Sequence, residues 1–125
     1  GHKIQNVDIF PLIDTSNKLD TFSLQLIFED GSIASIHYFS NGSKAYPKER
    51  LEVFSNEQVL QLDNFRKLIG WGIKGFKSKT ILKQNKGQNE CVNEFINSIL
   101  TGAESPIPSN EIFEVQDWMT QLSEN

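Results

Sequence analysis

The sequence predicts an α+β domain, in which a mostly antiparallel meander of about five to six strands is followed by two C-terminal helices packed on one face. Two observations predict this class. In the first half of the chain, apolar and polar residues alternate between short turn signals, which is typical of hairpin-connected strands. In the last third, the apolar spacing changes to that of a helix, without the strand–helix alternation that a parallel sheet requires.

The first predicted hairpin is the most clearly patterned part of the chain. Its first strand has alternate apolar residues, namely Phe22, Leu24, Leu26 and Phe28. Asp30-Gly31 predicts a type I′ turn, because both central positions of that turn need positive φ. Ile33–Phe39 is then the return strand.

Further strands are expected on both sides of this hairpin. Lys48–Phe54 and Gln58–Asp63 are predicted to pair across a polar turn around Asn56. Lys3–Phe10 and the shorter Thr80–Lys83 are two additional strands. The predicted sheet is therefore an antiparallel meander.

Residues 70–79 (GWGIKGFKSK) are rich in glycine and lysine and are predicted to form a loop. Gly70–Gly75 matches the pattern G-x-G-x-x-G. That pattern binds a dinucleotide only where it leaves a strand and opens a helix, so that backbone N–H groups face the pyrophosphate. Because a lysine-rich stretch follows and no parallel unit surrounds it, we interpret the segment as a flexible glycine loop.

The two helices are predicted from their apolar stripes. One runs from about Gln88 to Thr101 and places on one side Cys91, Val92, Phe95, Ile96, Ile99 and Leu100. Gly102 suits the position just after its end. Ser109 or Asn110 is expected to cap a second helix whose inward residues are Ile112, Val115, Met119 and Leu122.

Length and composition indicate one domain of a longer protein. The chain has 125 residues, one cysteine and one methionine, Met119. We interpret Gly1-His2 as a cloning or protease-cleavage remnant and residues 3–125 as a single domain. One cysteine forms no internal disulfide, and no apolar run is long enough for a membrane span. A cytoplasmic protein without membrane association is therefore expected.

The charges are unevenly distributed, although the net charge is only −4. Residues 44–86 carry ten Lys/Arg against four Asp/Glu, whereas residues 87–125 carry none against seven. One interpretation is a stand-alone module that binds a polyanion or nucleic acid through Lys44–Lys86. The other is that the acidic ends neutralise the basic centre. The acidic net charge disfavours the nucleic acid, so no such partner is expected.

No self-contained active site is predicted. Cys91 falls on the apolar stripe of a helix, where a thiol is usually part of an inert core. His37 is a single histidine in a strand, and no histidine, cysteine and carboxylate group has the spacing of metal ligands. We therefore assign no catalytic residue and no metal site.

The segment Tyr46–Arg50 (YPKER) is the strongest candidate for ligand binding. It combines an aromatic hydroxyl, two cations and a carboxylate on a loop and the start of a strand. Such a group can hold a polyhydroxylated or anionic ligand through charge-assisted hydrogen bonds. Ordinary salt bridges on the rim of a sheet explain it equally well. Glu49 is expected to be partly buried and to need a cation as partner.

Three runs of sequence resemble the C-terminal domain of the glucose–fructose oxidoreductase/inositol dehydrogenase (Gfo/Idh/MocA) family. They are Phe28–Tyr38 (FEDGSIASIHY), Ser40–Phe54 (SNGSKAYPKERLEVF) and Lys86–Pro108 (KGQNECVNEFINSILTGAESPIP). The greatest similarity is to members in which this unit can be fused to a zinc-type alcohol-dehydrogenase-like unit. The resemblance spans about Thr21 to Ile112.

The resemblance implies the C-terminal sheet domain of an oxidoreductase. Family members bind NAD or NADP in an N-terminal Rossmann domain and transfer a hydride at a hydroxyl of a sugar, sugar nucleotide or polyol. Neither their Glu-Lys-Pro motif nor their Asp-x-x-x-His pair occurs here. The chain is therefore expected to supply part of the substrate wall and a homo-oligomer interface, and to bind no cofactor by itself. Its own Rossmann domain would be the missing partner.

Only one segment carries over residue by residue. The corresponding family segment contributes a tyrosine on the substrate side, which implies that Tyr46 contacts a substrate hydroxyl. On the same basis, Lys48 is assigned as a hydrogen-bond or phosphate partner and Arg50 as a further substrate-binding residue.

Overall fold

The computed structural model describes residues 2–12 and 20–124 and confirms the predicted α+β class. Gly1, part of the presumed remnant, lies outside the described residues. Along the described chain, seven strands are followed by two helices. Their bounds are β1 Ile4–Pro11, β2 Thr21–Phe28, β3 Ile33–Phe39, β4 Arg50–Ser55, β5 Gln58–Asp63, β6 Lys67–Trp71, β7 Ser78–Thr80, α1 Gln88–Thr101 and α2 Ser109–Glu124.

The chain divides into two compact units. One contains Gly1–Gly42 and Asn97–Asn125, and the other contains Ser43–Ile96. Each unit has its own antiparallel sheet, with strand order β1-β2-β3 in the first and β4-β5-β6-β7 in the second. The pairing follows chain order in both sheets, as a meander of hairpins requires.

The three-stranded sheet has one apolar and one largely polar face. Leu24 pairs with Ile9 on one side and Ile36 on the other, and Phe22 pairs with Pro11 and Tyr38. Because directly opposed residues of paired strands share a face, the alternation predicted for residues 21–28 produces a continuous apolar face. The rings of Phe22 and Tyr38 stack on it, with 5.4 Å between their centroids.

The turn between β2 and β3 differs from the predicted type I′ geometry. In this turn only Gly31 has positive φ, at 82°, and its N–H donates to the carbonyl of Phe28. Phe28 N–H donates to Ser32, so Asp30 lies inside a three-residue loop with a glycine bulge. Asp30 accepts hydrogen bonds from the Ser32 amide and hydroxyl, and these contacts stabilise the longer loop.

The first unit also contains the end of α1 and all of α2. Gly102 follows α1 with φ 67°, its N–H donates to Ile99, and Ala103 N–H donates to Ser98, which is a Schellman ending. The predicted role of Gly102 is thus confirmed. α2 contacts β1, where the Ile4 N–H donates to Glu114 Oε1 over 2.5 Å.

The first two turns of the four-stranded sheet contain no glycine. Asn56 and Glu57 between β4 and β5, and Asn64 and Phe65 between β5 and β6, all have positive φ near 50–60°. This is type I′ geometry, which matches the right-handed twist of the strands it joins. The predicted turn at Asn56 and the strand Gln58–Asp63 are confirmed.

The prediction of one loop over residues 70–79 was partly wrong. β6 extends to Trp71 and β7 begins at Ser78, so only residues 72–77 lie between the strands. The predicted strand Thr80–Lys83 is found earlier, at Ser78–Thr80. Gly70 is compatible with β6 because its missing side chain leaves room for a neighbour, as described below.

Both units leave apolar side chains in contact with solvent. Among the described residues no hydrophobic side chain is buried, and the only buried residue is Thr21. The helical stripes predicted to face inward are exposed, with Val92 at 56% and Met119 at 55%, and Cys91 is exposed as well rather than part of a core. The predicted helical spacing is confirmed, but none of the residues predicted to face inward from either helix is buried. Neither described helix is long and apolar enough to cross a membrane.

Candidate functional site

The segment predicted to bind a ligand lies at the entrance to the four-stranded sheet. Tyr46 ends a short turn in which its N–H donates to the carbonyl of Ser43 over 3.0 Å. Its side chain is 68% exposed, and Lys48 is exposed on the extended stretch that follows. Arg50 is the first residue of β4. The tyrosine hydroxyl and the lysine ammonium are therefore both available to a ligand.

Arg50 is the one member of this segment that belongs to the sheet. It pairs directly with Asp63 of β5, and Asp63 pairs in turn with Lys67 of β6. The Arg50 guanidinium lies 3.9 Å from the Asp63 carboxylate, and both side chains are partly exposed. The strand register thus places Arg50, Asp63 and Lys67 on one face of the sheet, and of the two cations only Arg50 lies within 4 Å of the Asp63 carboxylate.

Glu49 has the cationic partner that its position requires. Its carboxylate accepts a hydrogen bond from the ammonium of Lys86, and its backbone carbonyl accepts one from the Asn64 N–H. The Lys86 ammonium also lies 5.7 Å from the centroid of the Phe65 ring, within the range of a cation–π contact. The expectation of a half-buried, cation-paired Glu49 is confirmed. Its role is structural, because it is occupied within the unit.

The three predicted substrate-binding residues lie close together in the chain and in the same compact unit. Tyr46, Lys48 and Arg50 belong to the same unit and follow one another at alternate positions into β4. All three residues are exposed, and none of them lines either of the two grooves described below, which lie elsewhere in this unit.

A groove of about 660 Å³ lies instead at the hairpin between β6 and β7. It is lined by the side chains and backbone of Lys67, Ile69, Gly70, Trp71, Gly72, Ile73, Lys74, Phe76, Lys77 and Ser78. Three lysines and a half-exposed tryptophan thus surround one depression, and no acidic residue from the described part of the chain lines it. A smaller, polar groove of about 470 Å³ is lined by residues 84–86, 88 and 89 at the start of α1.

The glycines of this hairpin have structural roles. A Cβ at Gly70 would lie 2.7 Å from the Phe76 ring, and one at Gly72 would lie 2.5 Å from the carbonyl of Glu57. Gly75 has φ 81° in a turn where Phe76 N–H donates to Ile73, so it occupies the position of a type II turn that favours glycine. The pattern G-x-G-x-x-G therefore shapes a hairpin and opens no helix. The described residues of this segment therefore lack the strand–turn–helix geometry by which this pattern binds a dinucleotide.

Sequence reasoning did not predict this groove, although the signal was present. The glycines and lysines of residues 70–79 predict a flexible loop, and that prediction does not reveal the alternation of Lys67, Ile69 and Trp71 along β6. A tryptophan that alternates with a lysine along a strand is a sequence signal for a ligand-binding face of a sheet.

His37 forms a polar contact on the other unit. Its Nδ1 lies 2.8 Å from the Ser23 hydroxyl across the paired strands, and its ring lies 5.6 Å from that of Phe39. Within residues 2–12 and 20–124, no ion pair or hydrogen bond joins His37 to a carboxylate. A serine–histidine pair without an orienting acid is not a nucleophilic triad.

Comparison with known proteins gives a likeness of fold. No family model and no curated protein sequence matches this chain. Among solved structures, UDP-N-acetylglucosamine 3-dehydrogenase from Acidithiobacillus ferrooxidans superposes with a TM-score of 0.63 over 83% of this chain, at 14% identity. The match covers 34% of the dehydrogenase. The chain thus has the fold of one part of a sugar-nucleotide dehydrogenase and spans about a third of its length.

Proposed function

We propose that this chain is the C-terminal sheet domain of an NAD(P)-dependent oxidoreductase that acts on a hydroxyl of a sugar, sugar nucleotide or polyol. The observation that carries the proposal is the fold likeness to part of a sugar-nucleotide dehydrogenase. The sequence resemblance supports it independently, because its three runs lie on the β2–β3 hairpin, on the entrance to β4 and on α1. A dehydrogenase of this class uses a nicotinamide cofactor.

The nicotinamide is assigned to another part of a longer protein. The only segment here with a dinucleotide pattern, Gly70–Gly75, connects antiparallel strands and has the space beside Gly70 and Gly72 filled by protein atoms. The G-x-G-x-x-G pattern holds the pyrophosphate of a dinucleotide only where its turn opens a helix, so that N–H groups and the helix dipole face the phosphates, and no helix follows it here. Under this proposal the present chain contributes the wall against which the substrate lies, not the hydride transfer.

We further propose that this chain associates with other protein surfaces, and exposed apolar residues support this proposal. On the four-stranded sheet, one face carries the mutually paired residues Leu51, Val53, Leu60, Leu62 and Leu68. Leu51 is 57% exposed and Val53 is 47% exposed. Contiguous exposed apolar surface of this kind marks sites that another protein surface covers. We assign the cover to the Rossmann domain of the longer protein and to a second copy, as a symmetric homo-oligomer would provide.

The substrate-binding roles are assigned to the Tyr46–Arg50 segment. The exposed Tyr46 hydroxyl is able both to donate and to accept a hydrogen bond from a sugar hydroxyl. Lys48 provides a mobile charge for a hydroxyl or phosphate oxygen. Arg50 lies on the edge strand β4, its guanidinium is 3.9 Å from the Asp63 carboxylate, and its exposed side chain is available to a ligand oxygen. Glu49 stabilises the segment through Lys86.

Steady-state kinetics on the longer protein test these roles. We expect Tyr46→Phe and Lys48→Ala each to lower kcat/KM by about tenfold, the effect of one lost hydrogen bond to a polar substrate group. The matched controls are Tyr38→Phe, which alters the other tyrosine, and Lys44→Ala, which removes an exposed lysine outside the segment. Both controls are expected to leave kcat/KM unchanged.

Two results would contradict the proposal. Unchanged kcat/KM in both Tyr46→Phe and Lys48→Ala would remove the substrate assignment. Turnover of an alcohol by the isolated 125-residue chain with NAD or NADP would contradict the assignment of the cofactor to another domain. Both kcat/KM of the longer protein and turnover by the isolated chain are measured from the absorbance of the reduced nicotinamide, with UDP-N-acetylglucosamine and simple polyols as substrates.

A further inference from the structure

We propose that the groove at the β6–β7 hairpin binds a small phosphorylated ligand whose ring stacks on Trp71. This inference goes beyond the proposed oxidoreductase function and does not depend on it, since the groove lies wholly within the unit Ser43–Ile96. The shared chemistry is a phosphate ester or pyrophosphate joined to a ring. A nucleotide and a sugar phosphate both have it, and the experiment below distinguishes them.

The volume of the groove and its preformed shape are suited to such a ligand. Its volume of about 660 Å³ lies within the usual range for small-molecule sites. The hairpin is held in shape by contacts rather than left flexible. Gly70 N–H donates to Lys77 over 2.8 Å, the Phe76 ring packs on Gly70, and the Glu57 carbonyl abuts Gly72. A preformed site does not have to be ordered by its ligand.

The charges of the groove indicate an anion. Lys67, Lys74 and Lys77 line it, in a chain whose net charge is −4. In the described part of the chain, no carboxylate lies within 4 Å of any of their ammonium groups. Asp63 pairs with Lys67 across the strands, but its carboxylate is placed 3.9 Å from Arg50. Lys74 and Lys77 therefore carry the least neutralised charge.

The turn at the end of the hairpin adds backbone donors. Lys74 and Gly75 are its two central residues, between the Ile73 carbonyl and the Phe76 N–H that close it. Within the described residues, the N–H groups of Lys74 and Gly75 donate to no backbone acceptor. Exposed amides beside a lysine are the arrangement that recognises phosphate oxygens. They add direction to the charge of the lysines.

Trp71 supplies the apolar surface for the ring. It is the last residue of β6, it is 48% exposed, and it lies on the same face of the strand as Lys67. The exposed indole offers a flat apolar surface on which the ring of a ligand can stack. A ring that stacks on it while its phosphate reaches the lysines would satisfy both features of the groove. A bare anion would satisfy only one.

Fluorescence titration tests the proposal on the complete 125-residue chain. The chain has two tryptophans, so Trp118→Phe leaves Trp71 as the only indole reporter. The probes are uridine diphosphate, glucose 1-phosphate and inorganic pyrophosphate, without any nicotinamide. We expect at least one of the two ring-bearing probes to bind more tightly than pyrophosphate, and which one binds identifies the source. Isothermal titration calorimetry on the unsubstituted chain gives a reading that is independent of Trp118.

Two pairs of lysine substitutions separate a local site from general attraction. Lys74→Gln with Lys77→Gln removes two charges that line the groove, and Lys79→Gln with Lys83→Gln removes two nearby charges that do not. Both pairs change the net charge from −4 to −6. We expect the first pair to weaken binding by about tenfold or more, as the loss of charge-assisted hydrogen bonds does, and the second to have little effect. Trp71→Leu is expected to weaken only the ring-bearing probes.

Four outcomes would overturn the proposal. They are no binding of either ring-bearing probe, equal affinity for pyrophosphate and those probes, equal loss of affinity in the two lysine pairs, and tighter binding of a single-stranded oligonucleotide that depends on all four lysines. Circular dichroism of each variant excludes loss of fold as the cause. None of these results would contradict the oxidoreductase proposal, because that proposal is tested by substrate turnover and by substitutions of Tyr46 and Lys48.

Discussion

Glu49 accepts a hydrogen bond from Lys86, a residue 37 positions later in the chain. The contact joins the residue before β4 to the segment before α1. Lys86 also approaches the Phe65 ring, while Gln84 donates to the carbonyl and side chain of Asn64. The turn between β5 and β6 therefore contacts both the residue before β4 and the segment before α1. The substrate-binding segment proposed above is anchored by this contact.

A double-mutant cycle on Glu49→Gln and Lys86→Gln should therefore show a small favourable coupling. Both side chains are about a third or more exposed, so we expect about 0.2–1 kcal/mol, in the range of surface ion pairs. Urea unfolding followed by circular dichroism measures the free energies. Raising the salt concentration should shrink the coupling, because exposed charges are screened. Arg50→Gln with Lys86→Gln is the control pair, and a coupling as large in that pair would contradict the assignment.

The two positive-φ glycines of the β6–β7 hairpin are predicted to differ in their tolerance of alanine. Gly75→Ala adds only the strain of a left-handed residue, about 1–2 kcal/mol, since nothing lies within 4 Å of the new Cβ. Gly72→Ala adds the same strain and a contact of 2.5 Å with the Glu57 carbonyl, a backbone atom that cannot rotate away. We expect Gly72→Ala to lower the free energy of unfolding more. Equal losses in urea denaturation would show that the hairpin moves freely away from Glu57.

The alternation of apolar residues predicted the strands well because it reports the local backbone period. Ile33–Phe39, Gln58–Asp63 and Gln88–Thr101 have the predicted bounds. β6 was missed because Gly70 and Gly72 suggested a loop. Glycine is present there because the Phe76 ring and the Glu57 carbonyl come close to the backbone, and these are contacts between residues apart in sequence.

The turns and the candidate site contain features that local sequence patterns do not predict. Asp30-Gly31 predicted type I′ geometry, yet that geometry occurs at Asn56-Glu57 and Asn64-Phe65, where no glycine is present. Strand pairing on both sides of a turn can impose positive φ on asparagine and its neighbour. Likewise the need of Glu49 for a cation was predictable from its strand position, but its partner Lys86 was not. The groove at Trp71 forms because β6 pairs with β7, and this pairing was not predicted from the sequence.

Acid is expected to weaken the β2–β3 turn through Asp30. Hydrogen bonds from the Ser32 amide and then from its hydroxyl hold the pKa of Asp30 below its ordinary value of 3.8. A carboxyl whose pKa is lowered by folding stabilises the folded state above its unfolded pKa. That stability is lost as the pH falls through the folded pKa. The decrease should therefore begin below about pH 4 and continue toward lower pH.

Ser32→Ala separates the two hydrogen bonds. It removes the hydroxyl but keeps the backbone N–H, so we expect the pKa of Asp30 to rise toward 3.8 without reaching it. Carbon-detected NMR titration of the Asp30 carboxyl measures the change. Asn85→Ala is the control: it should raise the lowered pKa of Glu90, which Asn85 holds by a hydrogen bond, and leave Asp30 unchanged. An unaltered Asp30 titration in Ser32→Ala would show that the hydroxyl makes no contribution.

Self-association through the apolar face of the four-stranded sheet is predicted to depend on one side of β4. Val53 pairs with Leu60 on that face, whereas Phe54 pairs with Val59 on the opposite face, and both Val53 and Phe54 are strongly exposed. Val53→Asp places a charge where a second copy would remove it from water, so it should leave the chain monomeric at every concentration. Phe54→Asp changes the neighbouring residue of the same strand and should preserve a mass that rises with concentration. Sedimentation equilibrium measures both. An unsubstituted chain that stays monomeric would contradict the predicted self-association, and a Phe54→Asp variant that alone loses association would assign the interface to the opposite face.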